Sequence, residues 1–586
     1  MVFTSYNDDY KQSKEAFVSG TTGSTVSHVN MMSLAAFASI ALHSAVRSRF
    51  PPHNRFLFLS ECLLLVAPLL LSMTLFADRP GALSAALLLP TTLICFLIPP
   101  HQSGTPLPFS GVASPRGSPS PSPRTPGFHH DEPSQHDPAQ AEKPERTRLS
   151  ALSTYRAHMM LMTVLAILAV DFPVFPRSLA KCETFGVSLM DMGVGSFVFS
   201  QGIVSARSVI QSFESPPSLR PPLLLETIWV LAESTPVLLL GLVRVLLVKS
   251  TDYPEHVTEY GVHWNFFLTL ALIPVLRVHL LPLIASMPIS LLGLLVASAH
   301  QLSLSAGLTS YVLNAPRQTL ISANKEGIVS LTGYLAIHLL GLSTGTLIIP
   351  HSTSYFRRLQ AAMRRLKSKS ETGEYTRPSA IITEDRISMP IPRENDKTAT
   401  VLFSYAVIYW TLFGITRYLH IGGPDVSRRL VNISYIAWVA GCNTTALLFY
   451  FLLDLVFFPT PLAKSTYSPV SGLKVGRRAN SSNDNSNSAS PKSSPPSSVP
   501  PRRTRSSGTT IAMAGPSPMP APPLLEAINR NSLAVFLLAN VATGVVNLSM
   551  QTMYASDRRA MCVLSAYALF LCAFAWAVRE RRLVKL

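Results

Sequence analysis

The sequence predicts an all-α polytopic membrane protein with about 13 transmembrane helices and long disordered loops on the cytosolic side. Three observations lead to this fold class. Apolar residues make up 47% of the 586 residues and charged residues only 14%, against roughly a quarter charged in soluble domains. The apolar residues gather in runs of about 20, the length that crosses a hydrocarbon layer of ~30 Å. The Lys and Arg residues, which give a net charge of +17, lie mostly in the connections between those runs.

The same properties exclude several other classes of protein. A chain with a mean hydropathy of +0.29 is neither a soluble globule nor a disordered acidic protein. The positive charge is not typical of nucleic-acid binding, because the basic residues are spread over loops and do not share one folded face. The 6 cysteines include no CxxC pair, so we expect neither a disulfide framework nor a zinc or other metal site.

Each predicted span is an apolar run of about the length that a transmembrane helix needs. The runs are 28–46, 56–77, 81–99, 151–171, 185–206, 223–248, 261–283, 285–303, 326–350, 399–420, 430–458, 531–553 and 560–578. Gly193, Gly195 and Gly202 in the fifth run are typical of close helix packing, because no Walker or dinucleotide pattern surrounds them.

The orientation of the spans follows from the Lys and Arg residues of the connections. These connections form two alternating sets, of which one holds 33 basic residues and the other 12. The more basic set consists of 47–55, 100–150, 207–222, 351–398, 459–530 and the tail 579–586. We expect this set on the cytosolic side, which places the N-terminal tail in the lumen and the C-terminus in the cytosol.

The sequence thus divides into membrane regions and loop regions. The predicted transmembrane groups are 28–99, 151–350 with a catalytic loop at 171–186, 399–458 and 531–578, after a lumenal tail at 1–27. The cytosolic loops 100–150 and 459–530 are rich in Pro and Ser, and the loop 351–398 is basic. Pro- and Ser-rich segments cannot bury enough apolar surface to fold, so we expect disordered tethers without chemistry there.

The connections of the opposite, lumenal set are short and rich in acids, bases and amides. The stretch from Asp171 to Lys181 is the most informative, because Pro173 and Pro176 stop the preceding helix and favour extended geometry. Such a loop at membrane depth is tolerated only where protein or a water-filled cavity surrounds it. A carboxylate and an ammonium ten residues apart can meet in a folded loop, either as catalytic groups or as a structural ion pair.

Two histidines carry both a functional and a structural interpretation. His263 could act as a base, but a histidine beside a residue such as Trp264 is more often an interface anchor. His338 lies in the middle of the ninth run. It is either the catalytic histidine of an intramembrane acyltransferase or a residue that forms a helix-packing hydrogen bond between faces of small residues.

Eight stretches of the sequence, taken in order, resemble the glycosylphosphatidylinositol (GPI) inositol acyltransferase family, called PIG-W in mammals. They cover most of the membrane part but not the long loops. The stretches are KEAFVS at 14–19, DFPVFPRSLAKCETFG at 171–186, MDMGVGSFVF at 190–199, EYGVHWNFF at 259–267, NKEGI at 324–328, GYLAIHLLG at 333–341, SRRLVN at 427–432 and NRNSLAVFLLANVATGVVN at 529–547. The long Pro/Ser insert at 103–148 suggests a fungal-type member.

This resemblance implies an enzyme of the endoplasmic-reticulum membrane. It would transfer a fatty acyl chain, usually palmitoyl, from acyl-CoA to the inositol ring of glucosaminyl-phosphatidylinositol. Acyl-CoA is then a co-substrate, and no tightly bound cofactor is expected. The acid and base positions of the family fall on Asp171 and Lys181.

The implied lipid substrate suggests roles for the remaining polar residues of these connections. Arg428 and Arg429 either hold the lipid phosphate or are helix-end charges that face headgroups. The second-tier candidates for sugar or inositol hydroxyls are His263, Asn265, Asn324 and Glu326.

Transfer of an acyl group from a thioester to a hydroxyl needs a base, stabilisation of the oxyanion and exclusion of water. We expect Asp171 to be the general base, with Lys181 either orienting it or stabilising negative charge at the carbonyl. A thiolate is a good leaving group, so no covalent enzyme intermediate is required. The chief alternative is a polytopic transporter or flippase for a lipid or polyol. No internal repeat supports it, and the ionisable residues lie at one face. A non-catalytic assembly subunit is a third interpretation.

Overall fold

A computed structural model gives the arrangement of most of the chain. It describes residues 13–14, 16–17, 19–50, 56–99, 149–215, 220–250, 257–371, 393–458 and 521–583. In these ranges the regular structure is helical, apart from one isolated β-bridge between Ser24 and Val187. Most of the loops predicted to be disordered, 100–150 and 459–530, lies outside the described residues, so their disorder stays a prediction there. The predicted end of the second loop at 530 is wrong, because Pro523–Arg530 is a helix whose apolar residues are buried. The basic loop 351–398 is described at 351–371 and 393–398.

A helix occupies each of the thirteen predicted apolar runs. In chain order these are α1 (Val26–Arg49), α2 (Leu57–Ser72), α3 (Pro80–Leu97), α4 (Ser150–Ala169), α5 (Leu189–Glu214), α6 (Leu223–Ser250), α7 (Phe266–His279), α8 (Ile289–Asn314), α9 (Lys325–Ile348), α10 (Asn395–Tyr418), α11 (Ile433–Phe457), α12 (Ser532–Ser549) and α13 (Asp557–Ala577). Shorter helices include Leu281–Ser286, Pro523–Arg530 and the basic helix Tyr355–Glu371.

Ten of these helices are long and apolar enough to cross a membrane, so the chain is a multi-pass membrane protein. Helices α2 and α7 are apolar but shorter, and α5 is long but less apolar. The figure of thirteen crossings therefore stays a prediction, as do the sides of the membrane on which the two termini lie.

The predicted start of the fifth helix is wrong by a few residues. The apolar run begins at 185, but α5 begins at Leu189. The hydroxyl of Ser188 accepts a hydrogen bond from the backbone N–H of Asp191, which caps the helix at that point. Residues 185–188 therefore belong to the preceding loop, which the site uses.

The centre of the bundle is the crossing of α5 and α9, where glycines let the two backbones touch. A Cβ atom on Gly341 would overlap the carbonyl oxygen of Phe199, and one on Gly202 would overlap the carbonyl oxygen of His338. Small residues at such contacts allow helices to approach closely in lipid. The predicted packing role of Gly202 is therefore confirmed.

The other two glycines of α5 differ from each other. Gly195 packs against Val439 and Tyr435 of α11, with no room for a side chain, as the sequence predicts. Gly193 has only the hydroxyl of Thr163 near it, at 3.8 Å from an added Cβ. Its predicted role in close packing is wrong, because Gly193 lines a cavity.

Successive helices bring the connections with the predicted site residues to one end of the bundle. We call this end the loop face; it consists of residues 19–25, 170–188, 257–265, 315–324 and 419–432. Backbone hydrogen bonds join these connections in pairs: Ser24 N to Val187 O at 2.6 Å, Gly186 N to Val426 O at 2.8 Å, and Val262 N to Ala323 O at 3.0 Å. The ion pair of Lys181 with Glu259, at 3.1 Å, connects the two groups of connections that these bonds form, so the loop face is one continuous piece of protein.

Candidate active site

The loop after α4 packs partly into the protein. Phe172 and Phe175 are fully buried, whereas Pro173 and Glu183 are exposed. The guanidinium group of Arg177 donates hydrogen bonds to the carbonyl oxygens of Val170 at 2.7 Å and Phe175 at 3.0 Å; the first of these is a group that the end of a helix leaves unsatisfied. Burial lowers the pKa of Arg177 to about 10, so the group stays protonated. The loop thus borders protein on one side and the cavity on the other, as such a loop requires, while its depth in the membrane stays a prediction.

A cavity of about 1400 Å³ begins beneath the loop face and continues between the helices. Its lining follows α4 from Tyr155 to Val170, about 22 Å at 1.5 Å per residue. The deeper walls are largely apolar and include Met162, Phe197 and Phe536. Pockets for a single small ligand typically measure about 300–1,000 Å³, so this cavity has room for more than one substrate.

Asp171 lies on the cavity wall between two polar neighbours. The Lys14 ammonium is 3.5 Å from Asp171 Oδ1, and the amide Nδ2 of Asn547 donates to Asp171 Oδ2 at 2.8 Å. Lys14 also donates to Asn547 Oδ1 at 3.0 Å. These three residues, here called the Asp171 cluster, join the N-terminal tail, the loop after α4 and the end of α12.

Lys181 lines the same cavity as Asp171 but has a different partner. Its ammonium lies 3.1 Å from Oε2 of Glu259, and Arg428 approaches the other oxygen of that carboxylate at 3.8 Å. In the described part of the chain no ion pair joins Lys181 to Asp171. The structure therefore brings the two predicted catalytic side chains to one cavity, and it supports neither a structural ion pair between them nor direct orientation of Asp171 by Lys181.

A second polar group, the Arg428 cluster, consists of Arg428, Asp191 and Glu259. Nε of Arg428 lies 2.6 Å from Oδ1 of Asp191, and both side chains are 1% exposed. Asp191 Oδ2 also accepts hydrogen bonds from the backbone N–H of Cys182 and the hydroxyl of Ser188, each at 2.9 Å. The buried carboxylate is thus fully paired, which offsets much of the cost of its desolvation.

Arg428 and Arg429, the predicted phosphate ligands, both form ion pairs with carboxylates. Arg429 lies 2.8 Å from Oε1 of the fully buried Glu326, and Arg428 is held by Asp191 as described. Neither arginine is among the described residues that line the cavity. The contacts therefore favour a structural role for both, and their role as phosphate ligands stays a prediction.

The second-tier candidates are also engaged in local structure. Asn265 lines the cavity, and its side chain accepts hydrogen bonds that cap α7. The side chain of Asn324 accepts a hydrogen bond from the backbone N–H of His263 at 2.8 Å. His263 itself is exposed and lies outside the cavity lining. Glu326 binds Arg317 as well as Arg429. Their roles in substrate binding stay predictions.

His338 is fully buried on α9 at the crossing with α5. Neither ring nitrogen has a hydrogen-bond partner within the described ranges, and the residue is not in the cavity lining. The predicted helix-packing hydrogen bond is therefore not seen among the described residues, and the ring is buried at the helix crossing without one. The catalytic role stays a prediction. Within those ranges there is also no group of three or more His, Cys, Asp or Glu residues that could hold a metal ion.

Comparison with known proteins shows the family to which this chain belongs. The family model described as GWT1 matches residues 10–578. The chain belongs to the GWT1 family. A GPI-anchored wall transfer protein 1 of Aspergillus fumigatus is 36% identical over 98% of each chain. Proteins of the same name from Cryptococcus neoformans var. grubii and Candida glabrata are 35% and 31% identical, over 98% of this chain and 99% and 98% of theirs. The resemblance to PIG-W-type inositol acyltransferases is thereby confirmed, and it supports a role in GPI-anchor biosynthesis.

Two members of the Asp171 cluster were not predicted as site residues. Lys14 and Asn547 both lie in stretches that resemble the family, but they are 533 positions apart, and Asn547 is 376 positions from Asp171. No local spacing can pair residues so distant. The one local signal is that Asn547 places an amide at the end of an apolar helix, where such a group needs a partner.

Proposed function

We propose that this protein transfers a fatty acyl chain, palmitoyl by expectation, from acyl-CoA to the inositol ring of glucosaminyl-phosphatidylinositol. The reaction would be a step of GPI-anchor biosynthesis in the endoplasmic-reticulum membrane. The observation that carries the proposal is the position of the Asp171 cluster at the polar end of a long, mainly apolar cavity. Membership of the GWT1 family supports this class of reaction.

The shape of the cavity supports a lipid donor as well as a lipid acceptor. One leaflet contributes half of a ~30 Å hydrocarbon layer, roughly 15 Å, and the lining along α4 is longer than that. An acyl chain can therefore lie in the deeper, apolar part with its thioester near Asp171. Such depth also suits a donor that is made in the cytosol, since the predicted orientation places the loop face in the lumen.

The chemistry follows from groups on the cavity wall. Asp171 accepts the proton of an inositol hydroxyl as the hydroxyl oxygen attacks the thioester carbonyl and forms the new C–O bond. Lys181, which lines the same cavity, stabilises the negative charge that develops on the carbonyl oxygen. The C–S bond then breaks, and the CoA thiolate takes the proton from Asp171. The products are the inositol ester and free CoA thiol, with no net change in protons.

Direct transfer is favoured over an acyl-cysteine intermediate. Cys182 lines the cavity close to Lys181, so it is the obvious nucleophile to consider. Burial, and next the nearby carboxylate of Asp191, raise the pKa of the Cys182 thiol well above its ordinary range. The thiolate is the nucleophilic form of cysteine, so this side chain is poorly suited to attack a thioester.

The reaction can be tested with purified protein in lipid nanodiscs, radiolabelled palmitoyl-CoA and glucosaminyl-phosphatidylinositol. We expect label in the lipid and release of one CoA thiol for each lipid acylated. Movement of the lipid across a liposome membrane without formation of an ester would identify the protein as a flippase and overturn the proposal.

The role of Asp171 has its own test in the same assay. Asp171→Asn keeps the size of the side chain but removes the base, so we expect activity to fall by about 10²–10⁴-fold, the usual contribution of general-base catalysis. The matched control is Asp78→Asn, an exposed carboxylate outside the cavity lining, which should behave as the wild type. Equal activity of both variants would remove Asp171 from the mechanism.

A further inference from the structure

The phosphodiester of glucosaminyl-phosphatidylinositol needs a cationic partner near the reacting ring, a requirement that rests on the proposed function. Arg428 and Arg429 form ion pairs with buried carboxylates, and neither arginine is among the described residues that line the cavity. In the described part of the chain, the Lys and Arg residues that do line the cavity are Lys14, Arg177 and Lys181. The phosphate ligand is therefore to be sought among these three.

Two of the three are less suited to bind the phosphate. One terminal nitrogen of Arg177 donates to backbone carbonyl oxygens, and the group lies 4.1 Å above the ring of Phe17. Its Nε and Nη1 have no hydrogen-bond partner among the described residues, but both are buried and therefore not exposed to a ligand in the cavity. Lys181 forms its 3.1 Å ion pair with Glu259 and is the cation already assigned to the carbonyl oxygen of the thioester. A phosphate on the inositol ring must lie close to the base that takes a proton from that ring, which favours the cation nearest Asp171.

Lys14 is that cation, and its contacts leave it able to bind an anion. An ammonium group has three donors, and one of them goes to Asn547 Oδ1 at 3.0 Å. The distance of 3.5 Å to Asp171 is longer than the 2.7–3.2 Å of an ordinary N–H···O hydrogen bond. Lys14 can therefore turn toward a phosphate while it keeps its bond to Asn547.

We propose that Lys14 binds the phosphodiester of the lipid substrate and that this binding releases Oδ1 of Asp171 for the inositol hydroxyl. The ammonium exchanges one anionic partner for another, because the phosphate oxygens form stronger charge-assisted hydrogen bonds than a carboxylate 3.5 Å away. Asn547 continues to hold the second carboxylate oxygen. The reacting pair thus forms more readily when a phosphate-bearing lipid is present.

The N-terminal tail holds Lys14 in place without help from Asp171. The backbone N–H of Gly20 donates to Glu183 at 2.7 Å, and the hydroxyl of Thr21 donates to the carbonyl oxygen of Lys181. The ring of Phe17 lies against Arg177. The tail is thus joined to the loop after α4 at three points, so a substitution at Lys14 should leave its fold intact.

The test combines a variant with a change in the substrate. Lys14→Gln and the charge-keeping Lys14→Arg are assayed on glucosaminyl-phosphatidylinositol and on an analogue in which a neutral ether replaces the phosphodiester. For Lys14→Gln we expect kcat/KM on the natural lipid to fall by about 10–100-fold, the range of one charge-assisted hydrogen bond. The loss should appear in the KM for the lipid and not in that for acyl-CoA. Activity on the analogue should not fall, because the analogue has no phosphate for the ammonium to bind, and Lys14→Arg should keep most of the wild-type activity on the natural lipid.

The outcomes separate phosphate binding from simple positioning of Asp171. If Lys14→Gln reduces activity on both lipids equally, as we expect for Asn547→Leu, Lys14 only positions the carboxylate and the proposal is overturned. Equilibrium binding of the natural lipid, measured without acyl-CoA, keeps the test independent of turnover. Weaker binding by Lys14→Gln supports the phosphate site even if the wild-type protein acylates neither lipid, a result that would overturn the proposed function alone.

Discussion

The Asp171 cluster and the Arg428 cluster are built from similar groups at the same face of the bundle, yet their surroundings differ. Asp171, Lys14 and Asn547 all line the cavity. In the Arg428 cluster, Arg428 and Asp191 are enclosed by protein, with side chains 1% exposed and in direct contact at 2.6 Å, whereas Glu259 borders the cavity. Ionic groups that border a cavity can exchange a partner for a substrate. Enclosed groups cannot, because any loss leaves a buried charge unpaired.

The largest effect that tests this difference is expected at the Arg428 cluster. Arg428→Met removes the cation and leaves the carboxylate of Asp191 buried without its charged partner, a change that typically costs about 3–5 kcal/mol. We expect a much lower melting temperature and little folded protein in the membrane fraction. The measurement is thermal unfolding of the detergent-solubilised protein, compared with its level in membranes.

The double variant Arg428→Met with Asp191→Asn is the control for this prediction. It removes both charges, so it should recover part of the stability that the single variant loses. If Arg428→Met is as stable as the wild type but has lost affinity for the lipid, Arg428 binds substrate, and the contrast between the two clusters is wrong.

A smaller effect, on the rate of acyl transfer instead of protein stability, is expected at the Asp171 cluster. Asn547→Leu removes the amide that donates to Asp171 Oδ2, and a hydrogen bond to a charged group is worth about 1.5–3 kcal/mol. We therefore expect kcat to fall by about 10–100-fold with little change in melting temperature. Ser549→Ala, an exposed position on the same helix, is the control. A stability loss without a change in kcat would place Asn547 with the structural residues.

The smallest effect is expected at His263. Its side chain is exposed and outside the cavity lining, so His263→Ala should leave kcat and both KM values unchanged. Steady-state kinetics with each substrate varied in turn provide the measurement. A clear rise in the KM for the lipid would show that the headgroup extends beyond the cavity to the outer part of the loop face.

Much of the fold could be predicted because the signal is local. An apolar run of about 20 residues specifies a helix in a membrane, and each of the thirteen runs is helical. The two prolines after Asp171 similarly indicate that the chain leaves the helix there. The start of α5 was misplaced because apolar residues continue into the loop, where the cap at Ser188 decides the boundary.

The arrangement of the site was less predictable because it depends on contacts between distant parts of the chain. Asp171 and Lys181 share a cavity, as their spacing allowed, but the partner of each comes from another connection. Arg428 and Arg429 have the chemistry of phosphate ligands. Only the fold shows that these two arginines already form ion pairs with Asp191 and Glu326.

The most direct test of the account is an experimental structure of the protein with glucosaminyl-phosphatidylinositol and a non-hydrolysable acyl-CoA analogue. The account predicts an inositol oxygen within about 3.2 Å of the Asp171 carboxylate, the acyl chain along α4, and the Arg428 cluster unchanged. A headgroup bound at Arg428 or Arg429, with Asp171 still between Lys14 and Asn547, would contradict it.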